Sequence, residues 1–337
     1  MVVVLGGMNI DIQGQSASAF LPGDSNPGRV STSPGGVGRN IAENLVRLGL
    51  SVELVTVLGD DAWSRELETS CRSLGIGLSG ALRLVGSPAS TYLCLLDPEG
   101  RLEGAVASME TMERLDPPRL AEREDLLDAA DCIVVDANLP EASIAWLAGR
   151  YGRDGTVRGQ TRWAADEGGQ SARPLLVLDP VSVAKARRAA SRLGSFDLAK
   201  PNLAEARILA DLREEEDPAR LAAALLVAGL GEAQISLGQD GMYYDGFSRD
   251  GSRESGRVAL PAAAPAGLAP RNRSGAGDAA CAALVWASLE GLGPRDRARA
   301  ALAAAMIAAA TDSTVNPAMC AGLLRTTTGL VGPGSRT

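Results

Sequence analysis

Short apolar runs alternate with amphipathic or Ala/Leu-rich stretches along most of the chain. The apolar runs predict strands over 2–7, 52–58, 132–136, 175–179, 198–200 and 234–237. The stretches between them predict helices over 38–48, 64–74, 141–149, 204–212 and 218–228. Buried strands that alternate with helices are typical of a parallel sheet covered on both faces. The pattern therefore predicts an α/β fold.

Two stretches interrupt this alternation. Residues 10–33 are polar and rich in Gly, Ser and Pro, with weak strand character, and residues 90–108 predict a hairpin around the turn Asp97-Pro98-Glu99-Gly100. We expect the two pieces, about 10–33 and 88–110, to pair into a small sheet beside the main one. A lid over a cleft is the functional interpretation, and a purely structural excursion is the alternative.

The rest of the chain predicts one domain over 1–330 with two peripheral segments. Residues 151–173 are polar and lack periodicity, which is typical of a mobile surface insertion. The chain after Thr326 is expected to fray, and residues 331–337 form a tail.

The composition narrows the class of partner. The 337 residues carry a net charge of −8, and Lys and Arg do not cluster, so binding to a nucleic-acid polymer is not expected. The five cysteines are scattered and no Cys-x-x-Cys pair occurs, which is typical of a reducing compartment. With neither a secretory leader nor an apolar run long enough to span a bilayer, a cytoplasmic protein without membrane contact is expected.

The chain contains no histidine. This excludes Ser-His-Asp and Cys-His catalysis and histidine-ligated zinc. A catalyst must therefore use carboxylates, lysine, hydroxyl groups or backbone dipoles.

The run Ser274-Gly275-Ala276-Gly277-Asp278 opens a long Ala-rich helix. The free N–H groups and positive dipole end of a helix N-terminus attract anions such as phosphate. An aspartate there is suited to accept the proton of a hydroxyl that attacks a phosphate. The alternative is an acidic residue that only stabilises its own helix.

Two further segments lie where a parallel sheet binds ligands, at the carboxyl ends of strands or at helix starts. Asn9 and Asp11 follow the first strand and suit the vicinal hydroxyls of a sugar, although they also suit a turn. Gly35 and Gly36 let the backbone approach a ligand, and Asn40 lies about one turn into the next helix. A glycine-rich run alone is weak support for a site.

Two later segments have both a functional and a structural interpretation. In Lys200-Pro201-Asn202-Leu203-Ala204-Glu205, Asn202 and Glu205 suit the hydration shell of a phosphate-bound Mg²⁺, but they also suit a helix-capping box. The run 236–241, with Ser236, Gly238 and Gly241, suits a nucleotide held against the backbone, but also any tight hairpin.

In this order, the motifs resemble those of the ribokinase-like (PfkB) family of carbohydrate and nucleoside kinases, over about residues 2–325. The resemblance implies a three-layer α/β/α sandwich with a mostly parallel central sheet and a small β-sheet lid. Runs at 24–28, 34–42, 136–138, 177–182 and 314–317, with Lys185, are similar to the pseudouridine kinases of that family. Two departures are Ser274, where the family usually has Thr, and the lid run Ala-Ser-Met-Glu at 107–110, which lacks an Asn-Asp pair before the Met.

The resemblance also implies a role for each candidate residue. Asp278 would be the general base, with the N–H groups of Gly275, Ala276 and Gly277 as the anion hole. The acceptor would be held by Asn9, Asp11, Gly35, Gly36, Asn40 and Asn138. The ATP side would comprise Lys200, Asn202, Glu205, Ser236, Gly238, Gly241, Ser274 and Asn316. Glu205 would contact Mg²⁺ through water, Asn272 would lie near a monovalent cation with K⁺ as activator, and the lid would pair two subunits into a homodimer.

The implied reaction is ATP-dependent phosphorylation of the 5′-hydroxyl of pseudouridine. The alternatives are a kinase of the same family for another nucleoside or sugar, and a nucleoside-binding protein that does not catalyse. A dinucleotide-dependent oxidoreductase is disfavoured because the chain lacks its glycine spacing.

Overall fold

The described strands form three sheets, of eight, four and two strands, and the smallest pairs Val57–Leu58 with Leu82–Arg83. The computed structural model describes residues 1–155, 173–248, 250–260, 269, 271–272 and 274–330. The strands are β1 (Val2–Leu5), β2 (Asn9–Ser16), β3 (Gly28–Gly35), β4 (Val52–Val55), β5 (Val57–Leu58), β6 (Leu82–Arg83), β7 (Thr91–Leu96), β8 (Leu102–Ser108), β9 (Cys132–Asp136), β10 (Leu175–Asp179), β11 (Leu198–Ala199), β12 (Ala233–Ser236), β13 (Met242–Phe247) and β14 (Arg253–Val258).

Helices connect most of these strands. They are α1 (Val37–Arg47), α2 (Ala62–Leu74), α3 (Pro117–Ala121), α4 (Glu124–Asp128), α5 (Glu141–Tyr151), α6 (Val183–Ala190), α7 (Leu203–Leu209), α8 (Pro218–Val227), α9 (Ala276–Leu289), α10 (Pro294–Ala309) and α11 (Ala321–Thr328). Short 3₁₀ helices lie at Glu110–Arg114, Leu193–Ser195 and Gly238–Asp240. No helix of the described residues combines the length and apolar composition needed to cross a bilayer.

The main sheet has eight strands in the order β14-β13-β12-β11-β10-β9-β1-β4. From β12 to β4 the neighbours are parallel, whereas β13 and β14 form an antiparallel hairpin at one edge. The predicted α/β sandwich with a mostly parallel sheet is confirmed.

The strand side chains alternate between two cores, as the period of two in an extended chain requires. Val3 and Ile133 point to a core shared with α5–α8, while Val4 and Val134 point to a core shared with α1, α2 and α9. Because both faces are covered, the strands are apolar throughout rather than alternately polar. For this reason the short apolar runs in the sequence predicted the positions of these strands.

A separate four-stranded sheet has the order β3-β2-β7-β8. Strand β2 pairs antiparallel with β3 and parallel with β7, and β7 pairs antiparallel with β8. The polar segment at 10–33 and the hairpin at 90–108 therefore come together, and the expected small sheet is confirmed.

Some boundaries differ from the prediction. Helix α11 continues to Thr328, so fraying after Thr326 is wrong for the described residues, and the tail 331–337 lies outside them. Most of the predicted insertion at 151–173 is also outside. Its two ends are not surface residues, because Tyr151 is buried at the end of α5 and Arg173 is buried in an ion pair with Asp197.

The start of α1 lies against the end of β1, and this contact requires glycine. Gly36 caps α1 with φ +98°, and a Cβ there would lie 2.5 Å from the Gly7 carbonyl oxygen. A Cβ on Gly38 would lie 2.7 Å from the Cα of Gly6. A side chain at 36 or 38 would therefore push α1 away from the sheet.

We expect Gly36→Ala to lower the free energy of unfolding by about 3 kcal/mol or more, since it adds a steric clash to an unfavourable positive φ. Gly49→Ala is the matched control. Gly49 also has positive φ (+91°), but a Cβ there would meet nothing within 4 Å. It should lose only about 1–2 kcal/mol in the same urea titration. Equal losses in the two variants would contradict the close approach at Gly36.

Candidate active site

A cavity of about 220 Å³ lies between the small sheet and the carboxyl ends of the main strands. It is lined by Gly7, Met8, Asn9, Asp11, Gly36, Val37, Asn40, Ser90, Tyr92, Met109, Met112, Asn138 and Val181. Five of the six predicted acceptor-binding residues are therefore gathered in one cavity. The sixth, Gly35, is next to it in β3.

Asn9 and Asp11 form a polar pair on the cavity side of β2. The Asn9 Nδ2 donates to Asp11 Oδ1 at 2.6 Å. A Cβ on Gly35 would lie 2.1 Å from Asp11 Oδ2, so glycine at that position makes room for the carboxylate. Burial raises the pKa of Asp11, while the hydrogen bond from Asn9 and the charge of Arg39 oppose the rise.

The carboxylate of Asp136, at the end of β9, connects three parts of the site. Its Oδ2 accepts hydrogen bonds from the backbone N–H groups of Gly7 at 2.8 Å and Gly38 at 3.0 Å. Its Oδ1 accepts from the N–H of Asn138 at 2.7 Å. Asp136 is fully buried. It therefore fixes the end of β1, the start of α1 and the loop that carries Asn138.

Asp278 lies in the first turn of α9 and faces the start of α1. The Asn40 Nδ2 donates to Asp278 Oδ2 at 2.8 Å. Burial, together with the negative charges of Asp179 and Asp136, raises the pKa of Asp278 to about 7. The hydrogen bond from Asn40 and the charge of Lys200 act in the opposite direction. Asp278 is thus poised to exchange a proton near neutral pH.

Lys200 brings a buried positive charge to the same helix N-terminus. Its Nζ lies 3.5 Å from Asp179 Oδ2, and a Cβ on Gly277 would lie 3.6 Å from that Nζ. Burial alone would lower the pKa of Lys200, but the negative charges around it, of which that of Asp179 is the largest, raise it overall. An anion bound at the start of α9 would contact the free N–H groups of the helix and also the Lys200 ammonium group.

Asn202 and Glu205 form a complete capping box at the start of α7. The Asn202 Oδ1 accepts from the Glu205 N–H at 2.9 Å, and Glu205 Oε2 accepts from the Asn202 N–H at 2.9 Å. The Asn202 Nδ2 also donates to Glu205 Oε1 at 2.8 Å. The helix-capping interpretation of this motif is therefore confirmed. Within the described residues, no group of three or more acidic or cysteine side chains is arranged to hold a metal ion.

The remaining candidates on this side lie along neighbouring loops. Ser236 forms an isolated parallel bridge with Asn202, and the 3₁₀ turn at Gly238–Asp240 follows it. Gly241 has φ +94°, and a Cβ there would lie 2.0 Å from the Val258 carbonyl oxygen. The close approach to the end of β14 therefore accounts for glycine at this position.

Asn272 and Asn316 hold the loops beside the start of α9. The Asn272 Oδ1 accepts from the Ser274 N–H at 2.9 Å, and its Nδ2 donates to the Asp312 carbonyl at 3.2 Å. The Asn316 Nδ2 donates to the Ile307 carbonyl at 2.6 Å, and its Oδ1 accepts from the Ala318 N–H at 2.9 Å. The side-chain amide of Asn316 is therefore engaged within the protein.

Several residues of the site were not among the candidates named from the sequence. Asp136 and Asp179 lie in the runs 136–138 and 177–182 that carry the resemblance, and their position at the carboxyl ends of the neighbouring buried strands β9 and β10 was a usable signal. Among the residues that line the cavity, Tyr92 and Val181 were not candidates either, although Val181 lies in the run 177–182. Val181 has φ +67°, a strained conformation for a β-branched residue, and its N–H donates to Asp179 Oδ1 at 2.9 Å.

An α/β sandwich, a small sheet beside a cleft and an aspartate in the first turn of a helix are the combination expected of a phosphotransferase. A sequence profile of the pfkB family carbohydrate kinases matches residues 1–319. The chain belongs to this family, and it is an ATP-dependent kinase.

Known proteins resemble the chain over most of its length. The pseudouridine kinase of Escherichia coli is 34% identical over 280 residues, which cover 82% of this chain and 80% of that protein. A carbohydrate kinase from Agrobacterium tumefaciens is 27% identical, with a TM-score of 0.75 over 98% of this chain and 97% of that one. The ribokinase of Arabidopsis thaliana, solved with ribose and ATP, shares the fold at 18% identity, with a TM-score of 0.75 and coverage of 98% and 99%.

The raised pKa of Asp278 predicts a specific dependence of stability on pH. The pKa of Asp278 is about 7 in the folded protein, and its ordinary value is 3.8. Between these pH values the folded protein keeps a proton on Asp278 that the unfolded chain has lost. The contribution of Asp278 to the free energy of unfolding therefore falls as the pH rises through that range. We expect Asp278→Asn to unfold at a higher temperature than wild type at about pH 8, with the gap closing towards about pH 4. Calorimetric unfolding at both pH values measures this.

Asp24→Asn is the control, because Asp24 is exposed in the loop between β2 and β3. It should track wild type at both pH values. An Asp278→Asn variant that is less stable than wild type at about pH 8 would contradict the electrostatic strain at this site.

Proposed function

We propose that this kinase transfers the γ-phosphoryl group of ATP to the 5′-hydroxyl of pseudouridine, giving pseudouridine 5′-phosphate and ADP. The observation that carries the proposal is the 2.8 Å hydrogen bond between Asn40 and Asp278. Asn40 lines the acceptor cavity, and Asp278 lies at the helix start suited to phosphate. The bond therefore joins the acceptor side of the cleft to the phosphate side. The likeness to the pseudouridine kinase of Escherichia coli supports this choice of acceptor.

In this proposal Asp278 is the general base. Its carboxylate accepts the proton of the acceptor hydroxyl while the oxygen attacks the γ-phosphorus, and the bond to ADP breaks. A pKa of about 7 suits this task, because the group is ionised at the operating pH and still binds a proton well. Asn40 holds the carboxylate towards the acceptor cavity.

The start of α9 and Lys200 serve the phosphate side. The N–H groups of Gly275, Ala276 and Gly277 form the anion hole, and the Lys200 ammonium group adds a positive charge next to Gly277. Ser274, Ser236, Gly238, Gly241 and Asn316 belong to the loops along ATP. The engaged amide of Asn316 limits it to positioning its loop.

The residues present fit a hydrated Mg²⁺ rather than a directly coordinated one. Both oxygens of Glu205 already accept hydrogen bonds from Asn202, so Glu205 would contact the ion through water. Mg²⁺ held in this way would neutralise negative charge on the transferring phosphoryl group. The loop carbonyls near Asn272 suit a monovalent cation such as K⁺.

Asn9, Asp11, Gly35, Gly36 and Asn138 hold the acceptor in this scheme. Asp11 and Asn9 offer a carboxylate and an amide to vicinal hydroxyls, and Gly36 brings backbone close to them. A second candidate is phosphorylation of another nucleoside or a sugar. It is favoured by the run Ala-Ser-Met-Glu at 107–110, which has Ala107 and Ser108 in place of an Asn-Asp pair before Met109 at the cavity wall.

The test is an ADP-release assay with Mg-ATP and K⁺ that compares pseudouridine with uridine, adenosine, ribose and fructose. We expect pseudouridine to give the highest kcat/KM. Asp278→Asn should lower kcat by roughly 10²–10⁴-fold with little change in acceptor KM, because it removes a positioned base. Preference for another acceptor would overturn the assignment to pseudouridine but leave the base in place.

Asp11→Ala is the complementary variant. It should weaken acceptor binding by about 2–5 kcal/mol and so act mainly on KM, because it removes a charge-assisted contact to the acceptor. Near-full turnover in Asp278→Asn, or an unchanged KM in Asp11→Ala, would contradict the corresponding role.

We propose further that two copies pair through the small sheet, in the cytoplasm, where the five free cysteines stay reduced. The face of this sheet away from the cavity, the apolar lid face, consists of Val30, Leu93, Leu95 and Val106. Val30 and Val106 are 76% and 65% exposed. Strands β3 and β8 are edges that also invite pairing.

Light scattering should show a dimer for wild type and a monomer for Val106→Glu, because the variant puts a charge on the apolar lid face. Val85→Glu is the matched control, since Val85 is 93% exposed and lies outside the small sheet. It should stay dimeric. A monomeric wild type, or a dimeric Val106→Glu, would count against pairing through this face.

A further inference from the structure

The side-chain amide of Asn40 has two chemically different ends, and its orientation decides which one faces Asp278. A donor there stabilises the ionised carboxylate, whereas the amide oxygen would repel it. The structure has Nδ2 towards Asp278 and Oδ1 towards Arg39, whose Nη1 donates to that oxygen at 3.2 Å. Because a guanidinium group only donates, it selects this orientation.

Arg39 is itself held firmly in place. It is 6% exposed, and its Nη2 lies 2.6 Å from Oε2 of Glu43, which is 5% exposed. Glu43 in turn accepts from Arg47 on its other oxygen, at 2.6 and 2.8 Å. A continuous polar chain therefore runs along α1 from Glu43 through Arg39 and Asn40 to the carboxylate in α9.

Stability alone does not account for a buried cation here. Replacing buried ion pairs by apolar groups is often neutral or stabilising. The Arg39 Nε also has no hydrogen-bond partner among the described residues, and leaving a buried donor unpaired is unfavourable. Besides Glu43, the guanidinium group contacts the Pro34 carbonyl at 3.5 Å and Asn40 Oδ1 at 3.2 Å, and it lies beside the Cys71 thiol. Of these contacts, the one to Asn40 leads directly to Asp278.

We propose that Arg39 is a positioning residue for the phosphoryl-transfer step: it locks the Asn40 amide so that Nδ2 is presented to Asp278. This inference rests on the proposed role of Asp278 as the base. Arg39 does not touch the reacting atoms and acts through Asn40.

The charges around Asp278 give the direction of the effect. The negative charges of Asp179 at the end of β10 and Asp136 at the end of β9 raise the pKa of Asp278, and the positive charge of Lys200 after β11 lowers it. The Cys281 thiol one turn along α9 is buried and its pKa is raised well above its usual value, so it faces Asp278 as a neutral group. The donor from Asn40 offsets the negative groups. When the amide is free to turn, the pKa of Asp278 should rise, and the acid limb of the kcat profile should move to higher pH.

The experiment compares Arg39→Met with Arg47→Met. Each removes one guanidinium group from Glu43 and leaves it the other, but only Arg39→Met removes the contact to Asn40. Arg47 also donates to the Pro317 carbonyl at 2.9 Å, so its loss removes a contact to a backbone carbonyl, as Arg39→Met removes the contact to the Pro34 carbonyl at 3.5 Å. We expect Arg39→Met to lower kcat about tenfold at saturating acceptor and to shift the acid limb upward, and Arg47→Met to stay within about twofold of wild type.

A double-variant cycle shows whether Arg39 acts through Asn40. If it does, adding Arg39→Met to Asn40→Ala should leave kcat and the acid limb where Asn40→Ala alone puts them. Saturating acceptor is needed because the Arg39 charge also lowers the pKa of Asp11 and so affects KM.

Two results would overturn the inference while the base assignment stands. The first is a kcat profile that is the same in Arg39→Met and Arg47→Met. The second is a double variant whose kcat falls below that of Asn40→Ala by the full factor that Arg39→Met causes alone. In both cases Asp278→Asn must show the expected loss of kcat. An active Asp278→Asn would instead overturn the base assignment, and the positioning role with it.

Discussion

The buried carboxylate of Asp136 is the interaction on which the site depends. It accepts from the N–H groups of Gly7 and Gly38 and so holds the end of β1 against the start of α1. The start of α1 can approach the end of β1 this closely only because residues 36 and 38 are glycine. A Cβ at either position would clash with the backbone of Gly6 or Gly7. From these fixed ends the chain leads directly to Asn9 and Asn40, which both line the cavity. Under the proposed function, the groups that hold the acceptor are therefore positioned by backbone packing at the end of the sheet.

A second consequence is electrostatic. Bringing the ends of β9, β10 and the start of α9 together places Asp136, Asp179 and Asp278 in one buried region, with Lys200 as the main opposing charge. Burial and mutual repulsion raise the pKa values of Asp136 and Asp278. If Asp278 is the base, as proposed, this unfavourable arrangement gives it a pKa near neutral pH, in keeping with the general conflict between stability and activity at catalytic sites.

The sequence predicts the buried strands well, because a strand covered on both faces must be apolar throughout. The bounds of β9 and β10 agree with the predicted 132–136 and 175–179. The β13–β14 hairpin was not predicted as a pair, because Asp245 and Gly246 interrupt one strand and the other is polar at an exposed edge. For the site, motifs located Asp278 and Asn40, but no periodicity reveals that Arg39 turns back onto its neighbour. That contact depends on the packing of α1 against α9.

The absence of histidine gives the buried carboxyl groups a further significance. In most proteins, imidazole groups dominate proton exchange around neutral pH. Here the pKa of Asp136, about 6, and the pKa of Asp278, about 7, lie in that range instead. Both carboxyl groups lie at the candidate site, where Asp136 holds the start of α1 and Asp278 contacts Asn40. A ligand that changes either pKa would therefore change the number of protons that the protein binds near neutral pH.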